Sequence, residues 1–373
     1  MTALGYCFWG FCEKFEDCNL ANTPDGNRYG RPILVDALKN AGHDVIALQQ
    51  RRETKPYENI LAYVDKGFPA LDVLFVEFRW KTYKNDGGEL STEPDWKRQC
   101  ELLDHYHGKI PIIVWDTDLK MTEEDEKRWP EVIIADPTLS PLKLSRDRIR
   151  LTFWTDFKPL FDKPRVFLDS QGPQDTSFVK LGYLGNNYER DDMFKRYYSE
   201  PASALRKVGI QTTVYGNWLL RSPERVSPET IVASYPNIAF VDRVGFFESM
   251  KILSKFICSI HITKERYAKQ GFVSPRYLEN IVCGTPALVP VEFLKNDILG
   301  KEWTVTSSRD VEDKVIGIKA TMESYIGGPE MCRHDIVEDQ KMALKEVHDF
   351  SVSSVVEMIE SFAKNQTETM RNL

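Results

Sequence analysis

Two short runs in the first third of the chain, Val73-Leu-Phe-Val76 and Ile112-Ile-Val-Trp115, are apolar at every position. A strand with one wet face alternates apolar and polar residues. An unbroken run belongs instead to a strand covered on both faces, the condition of a parallel sheet flanked by helices. Residues on either side repeat the pattern. Strands are expected at 4–9, 44–48, 72–78, 110–115 and 132–135, with amphipathic helices at 29–42, 56–66, 94–107 and 122–129. Strands alternating with helices define βαβ units and a doubly wound α/β fold.

Residues 156–176 break this rhythm with Pro159, Pro164, Gly172 and Pro173, and read as a linker. The βα pattern then restarts. Strands are expected at 179–184, 212–215, 238–241, 256–262, 287–289 and about 303–306. A helix ending near Val208 carries a kink at Pro201, another covers 249–255, and helical patterns fill 309–366. A chain of 373 residues is too long for one ordinary core. Two Rossmann-like domains with a cleft between them are expected, over 1–165 and 166–349, followed by a helix and tail over 350–373. Ligands of such domains sit at the carboxyl ends of the strands.

Composition excludes several classes. No apolar run approaches the roughly 20 residues of a membrane helix, and the first residues lack the basic start and cleavage site of a signal peptide. The cysteines at 7, 12, 18, 100, 258, 283 and 332 are odd in number and show no zinc-ligand spacing, so a reducing cytoplasm is expected. A net charge of −7 argues against coating nucleic acid through bulk charge but leaves room for a local basic groove. Such clusters occur at Arg51-Arg52, Arg79-Trp80-Lys81 and Lys143 to Arg150, and Trp80 and Tyr83 interleave with them as stacking surfaces. There is no phosphate-binding loop of the Gly-x-x-x-x-Gly-Lys type and no Gly-x-Ser-x-Gly elbow.

The densest chemistry lies in Phe272-Val-Ser-Pro-Arg276-Tyr-Leu-Glu279-Asn-Ile-Val-Cys-Gly284-Thr-Pro-Ala-Leu-Val-Pro290. Pro275 suits a first helical turn, Gly284 a left-handed stop, and an apolar strand follows. Arg276 and Glu279 share a face near the helix start, where a phosphate suits the cation and a sugar diol the carboxylate. Upstream, Gly185-Asn186-Asn-Tyr-Glu-Arg190 turns from strand to helix and can present N–H groups to an anion, or can be a plain connection. Asp116-Thr-Asp118-Leu-Lys follows an apolar strand. One aspartate can cap the turn while the other works as a general base. Asp242-Arg243-Val244-Gly245 and the polar loop holding Tyr267 follow further strands, and either can be mere surface. His261, inside an apolar segment, reads as a satisfied core histidine.

Arg276-x-x-Glu279 leading into Gly284-Thr-Pro-Ala-Leu-Val resembles the nucleotide-sugar motif of the GT-B glycosyltransferases. The order of the other segments is similar to the 5-hydroxymethylcytosine glycosyltransferases of bacteriophages. That resemblance implies a UDP-sugar donor, with no divalent metal required, and Asp118 as catalytic base. It places Arg190, Arg243, Val244, Tyr267, Arg276 and Glu279 around the donor, with Asp116, Gly185 and Asn186 beside them. Asn186 stands where the family has a second phosphate-binding arginine, and the segment holding Trp9, Cys12, Cys18 and Arg28 does not follow the family. The resemblance further implies an acceptor-side first domain and a nucleotide-sugar-binding second domain. It implies inversion at the sugar, and duplex DNA carrying 5-hydroxymethylcytosine as acceptor. A monomer in the cytoplasm of a phage-infected host is expected. A glycan or small-molecule acceptor is the alternative, and a silent nucleotide-sugar-binding protein the reading from another class.

Overall fold

The computed structural model describes residues 2–8, 27–48, 67–84, 90–92, 94–157, 179–187, 189–219, 227–242 and 244–371. The chain divides into two compact units, Met1–Asp156 with Phe350–Leu373, and Phe157–Asp349. The linker expected at 156–176 and the helix expected at 56–66 fall almost wholly outside the described residues.

The first unit runs β1 (Ala3–Cys7), α1 (Asn27–Asn40), β2 (Asp44–Ala47), β3 (Val73–Glu77), β4 (Thr82–Lys84), β5 (Leu90–Thr92), α2 (Pro94–Tyr106), β6 (Ile112–Trp115), α3 (Glu123–Arg128), β7 (Ile133–Asp136) and β8 (Ile149–Arg150). Six strands form a parallel sheet in the order β2-β1-β3-β6-β7-β8, and β4 and β5 pair as a separate antiparallel hairpin. The apolar runs have the two-sided burial their composition demands. Leu74, Val76, Ile112 and Val114 pack with Leu102, Leu103 and Tyr106 of α2. On the opposite face Trp115 contacts Phe75, Phe153 and Trp154.

The second unit runs β9 (Lys180–Leu184), α4 (Asp191–Phe194), α5 (Glu200–Lys207), β10 (Gln211–Tyr215), α6 (Pro228–Ser234), β11 (Ile238–Val241), α7 (Phe246–Leu253), β12 (Cys258–Ile260), α8 (Glu265–Gln270), α9 (Pro275–Val282), β13 (Ala287–Pro290), β14 (Thr304–Val305), α10 (Ser308–Ser324) and α11 (Pro329–Val347). Its six parallel strands lie in the order β11-β10-β9-β12-β13-β14. The kink expected at Pro201 is a widened π turn over Lys195–Ser199, whose end is closed by the N–H of Glu200 on the Lys195 carbonyl. Proline cannot donate to the preceding turn, and an i→i+5 turn accommodates that loss without breaking the helix. The same turn delivers Tyr198 to the sheet, where its hydroxyl accepts the N–H of Ile260 at 2.7 Å and donates to the carbonyl of that residue at 2.8 Å.

The last helix, α12 (Val352–Arg371), rejoins the first unit. Phe350 and Val352 exchange backbone hydrogen bonds with Thr155, and Glu360 reaches His43 Nε2 at 2.9 Å.

Candidate functional site

In the first unit the site expectations centre on the turn after β6. Asp116 is fully buried, and its two carboxylate oxygens accept the N–H groups of Lys120 (2.8 Å) and Met121 (2.9 Å). Arg148, equally buried, lies 3.0 Å from Asp116, 3.0 Å from Glu126 and 3.8 Å from Asp136. Burial pushes the Asp116 carboxyl up to about 6 despite the guanidinium beside it. Asp116 thus closes the turn. Asp118, half-buried, sits at the head of it, followed by Leu119 at a left-handed φ of 53°. A non-glycine residue there costs on the order of 1–3 kcal/mol and persists only where neighbours enforce it. Asp116 does so from one side. From the other, Thr117 donates to Glu77 at 3.2 Å, and Glu77 is paired with buried Arg31.

The basic cluster from 143 to 150 is a correction to the sequence reading. Arg148 is the buried hub just described, Arg146 donates to the carbonyls of Trp129 and Pro130, Arg150 donates to Leu139, and Lys143 pairs with Asp147 at 2.8 Å. Those arginines neutralise and tie down the chain's own loops. The hub itself was invisible in the sequence, because its carboxylates come from three separate elements. The Arg79–Trp80 segment has its guanidinium stacked 3.7 Å above the indole, with Lys81 exposed beyond it. Trp9, Cys12, Cys18, Arg51 and Arg52 lie outside the described residues, as do the side chains of Arg28 and Tyr83.

In the second unit the strand order reverses direction between β9 and β12, and the crevice outside the carboxyl ends of such a pair is where open α/β sheets bind ligands. The loop after β9 is braced before it reaches α4. Gly185 donates to Tyr215 and accepts the indole N–H of Trp218 at 2.9 Å, and the Asn186 side chain accepts the N–H of Asn217 at 3.0 Å. Asn186 is therefore a brace between two loops. Arg190 is the N-cap residue of α4, and its Nη1 donates to the Asn186 carbonyl at 2.7 Å.

Beside this loop stands α9. Ser274 caps it, with Pro275 in the first turn, and Gly284 takes the left-handed conformation beyond its end. Arg276 and Glu279 form an ion pair on one face, Glu279 being almost wholly buried. Tyr267 stacks on Phe272 with ring centroids 4.4 Å apart, flanked by Lys264 and Arg266. Val244 is half-buried, and Arg243 lies outside the described residues.

His261 is buried, as the sequence reading has it, and its Nε2 meets Ser274 at 3.3 Å, but it is not fully satisfied. Its strand ends at Ile260, which puts the ring at the carboxyl edge of the sheet with Nδ1 unpartnered among the described residues. It shares that condition with Asn187 Oδ1 and Arg190 Nε. Buried polar atoms are almost always satisfied, so open ones at a switch point make it the candidate ligand site. A shorter estimate of the strand was the only sequence signal that could have found His261.

Two doubly wound sheets with a terminal helix rejoining the first unit define the GT-B fold. Solved structures similar to this chain include the T4 phage β-glucosyltransferase (TM-score 0.57, 13% identity, covering 97% of this chain and 99% of that one). An α-glucosyltransferase in complex with UDP-glucose and DNA containing an abasic site is similar too (TM-score 0.59, 14% identity, 97% and 100%). So is a glycosyltransferase from Rickettsia africae (TM-score 0.60, 10% identity, 98% and 99%). No family model and no curated protein matches the sequence.

Proposed function

We propose that this protein is a glycosyltransferase that moves a sugar from a UDP-sugar to a hydroxyl acceptor, with the first unit on the acceptor side and the second holding the donor. The observation that carries this is the set of open, buried polar atoms on Asn187, Arg190 and His261 at the switch point, next to the capped start of α9 and its Arg276–Glu279 pair. Arg276 and Arg190 supply charge for a diphosphate, with Arg243, which follows β11 in the sequence, and a helix start adds its dipole. Glu279 suits the ribose diol, with Val244 and Tyr267 beside the nucleotide. Asp118 takes the proton of the acceptor hydroxyl, which attacks the anomeric carbon in one in-line step and inverts it. The developing charge on the leaving phosphate falls on the guanidinium groups.

For the acceptor we favour 5-hydroxymethylcytosine in duplex DNA. The likeness to the phage glucosyltransferases and the exposed Lys81 beside Trp80 support it. Internal bonding of Arg146, Arg148 and Arg150 favours the second reading, a glycan or small-molecule acceptor. Mass spectrometry of hydroxymethylcytosine DNA incubated with the protein and a panel of UDP-sugars separates the two. A sugar-sized mass gain is expected, and turnover of UDP-sugar on other hydroxyl compounds without any gain on DNA would move the assignment to the second. Asp118→Ala is expected to abolish transfer while UDP binding survives. Retained turnover, or lost UDP binding, would remove Asp118 from the role.

A further inference from the structure

One titratable side chain at the switch point has no part in the mechanism above. His261 follows β12 and is almost wholly buried. Its Nε2 lies 3.3 Å from the hydroxyl of Ser274, the residue that caps α9, and its Nδ1 meets no partner among the described residues. Tyr277 of α9 packs against the ring, and Phe293, beyond β13, faces it edge-on. The charges that act on it are both positive: Arg190 from the β9–α4 loop and Arg276 from α9. Burial disfavours the imidazolium and the two guanidinium groups repel it, so the ring is neutral in the free protein.

That arrangement changes sign when a diphosphate arrives. Arg190, Arg276 and Arg243 bring three positive charges and Glu279, paired with Arg276, one negative, so the diester of a UDP-sugar is matched in charge. UDP, with its terminal phosphate freed, carries one more negative charge and leaves the site short of a cation. We propose, on the reading that this unit holds a UDP-sugar, that His261 is a ligand of the diphosphate and takes up a proton as UDP forms. The bond from the anomeric carbon to the phosphate oxygen breaks, and its electron pair stays on that oxygen. The acceptor's own proton goes to Asp118. The proton that reaches His261 comes from solvent and remains while UDP is bound. Ser274 Oγ then accepts from Nε2–H, and Nδ1–H is left to donate to the phosphate.

Calorimetric titration tests this directly. UDP is added at about pH 8, where its terminal phosphate is ionised, in two buffers of different ionisation enthalpy. Wild type is expected to take up close to one proton per UDP, and less with UDP-glucose. Its Kd for UDP is expected to rise by up to about tenfold per pH unit above neutrality. His261→Asn and His261→Gln, each checked for a native melting transition, are expected to bind UDP with no proton uptake and a flat pH profile. Equal enthalpies in both buffers for the wild type, or uptake retained in both variants, would overturn the proposal while leaving the donor site intact. If wild type binds neither UDP nor UDP-glucose, the donor reading falls and this one with it.

Discussion

Two aspartates, two residues apart, sit in different surroundings after β6. Asp116 is spent on the fold: both of its oxygens close the turn, and Arg148 backs it. Asp118, proposed above as the base, is half-buried just ahead of the left-handed Leu119. The division has a pH signature. The folded state holds a proton on Asp116 up to about 6, above the ordinary value of 3.8. Folding therefore favours the protonated form. The stability this adds is complete below about pH 4 and is lost as pH rises through about 6. Asp116→Asn keeps the shape and stays neutral, so its constant cost from a lost acceptor does not vary with pH. Between about pH 4 and about pH 7 the urea midpoint of the wild type is expected to fall relative to that of the variant. Parallel profiles would show that Asp116 is ionised throughout.

Among the elements, the β9–α4 connection matters most. Its geometry depends on Gly216, at a φ of 148°, whose α-carbon lies so close to the Gly185 carbonyl that a side chain would collide with it. Gly216→Ala must displace the loop carrying Asn186, Asn187 and Arg190, since backbone on the other side cannot give way as a side chain would. A strain of one to a few kcal/mol corresponds to about tenfold or more in binding. UDP affinity is expected to drop by that amount in fluorescence or calorimetric titration, with most of the secondary structure retained. Unchanged affinity would mean that the loop does not shape the donor site. Neither glycine was singled out for this contact from sequence. The approach joins residues on neighbouring strands that are far apart along the chain.

For the molecule as a whole, the return of α12 to the first unit sets the pattern of stability. Val352, Val355, Val356 and Ile359 are buried there. At roughly 1.5 kcal/mol or more for each buried aliphatic side chain, their loss is comparable with the 5–15 kcal/mol stability of a domain. Truncation before Phe350 is expected to abolish the cooperative unfolding of the first unit in calorimetry while the second unit still melts and binds UDP. A truncated protein with both transitions unchanged would show that α12 contributes little.

The sequence by itself determined the class of fold and the capped helix α9 that is proposed to hold the donor. Unbroken apolar strands permit few arrangements other than a two-sided parallel sheet, and the proline, Arg-x-x-Glu and glycine of 275–284 are local signals that act within a few turns of helix. The short hairpin β4–β5 and the two-residue strand β8 gave no such signal, because each is too short for periodicity to register, and the π turn showed itself only as a kink at Pro201. Tertiary structure alone decided which charges are free. Arg148 reads as a surface cation until Asp116, Glu126 and Asp136 converge on it, and His261 reads as a satisfied core histidine until its strand stops two residues short of the expected end and leaves Nδ1 without a partner among the described residues. A charge's role depends on what lies within a few ångströms of it, and that is set by contacts between segments distant in the chain.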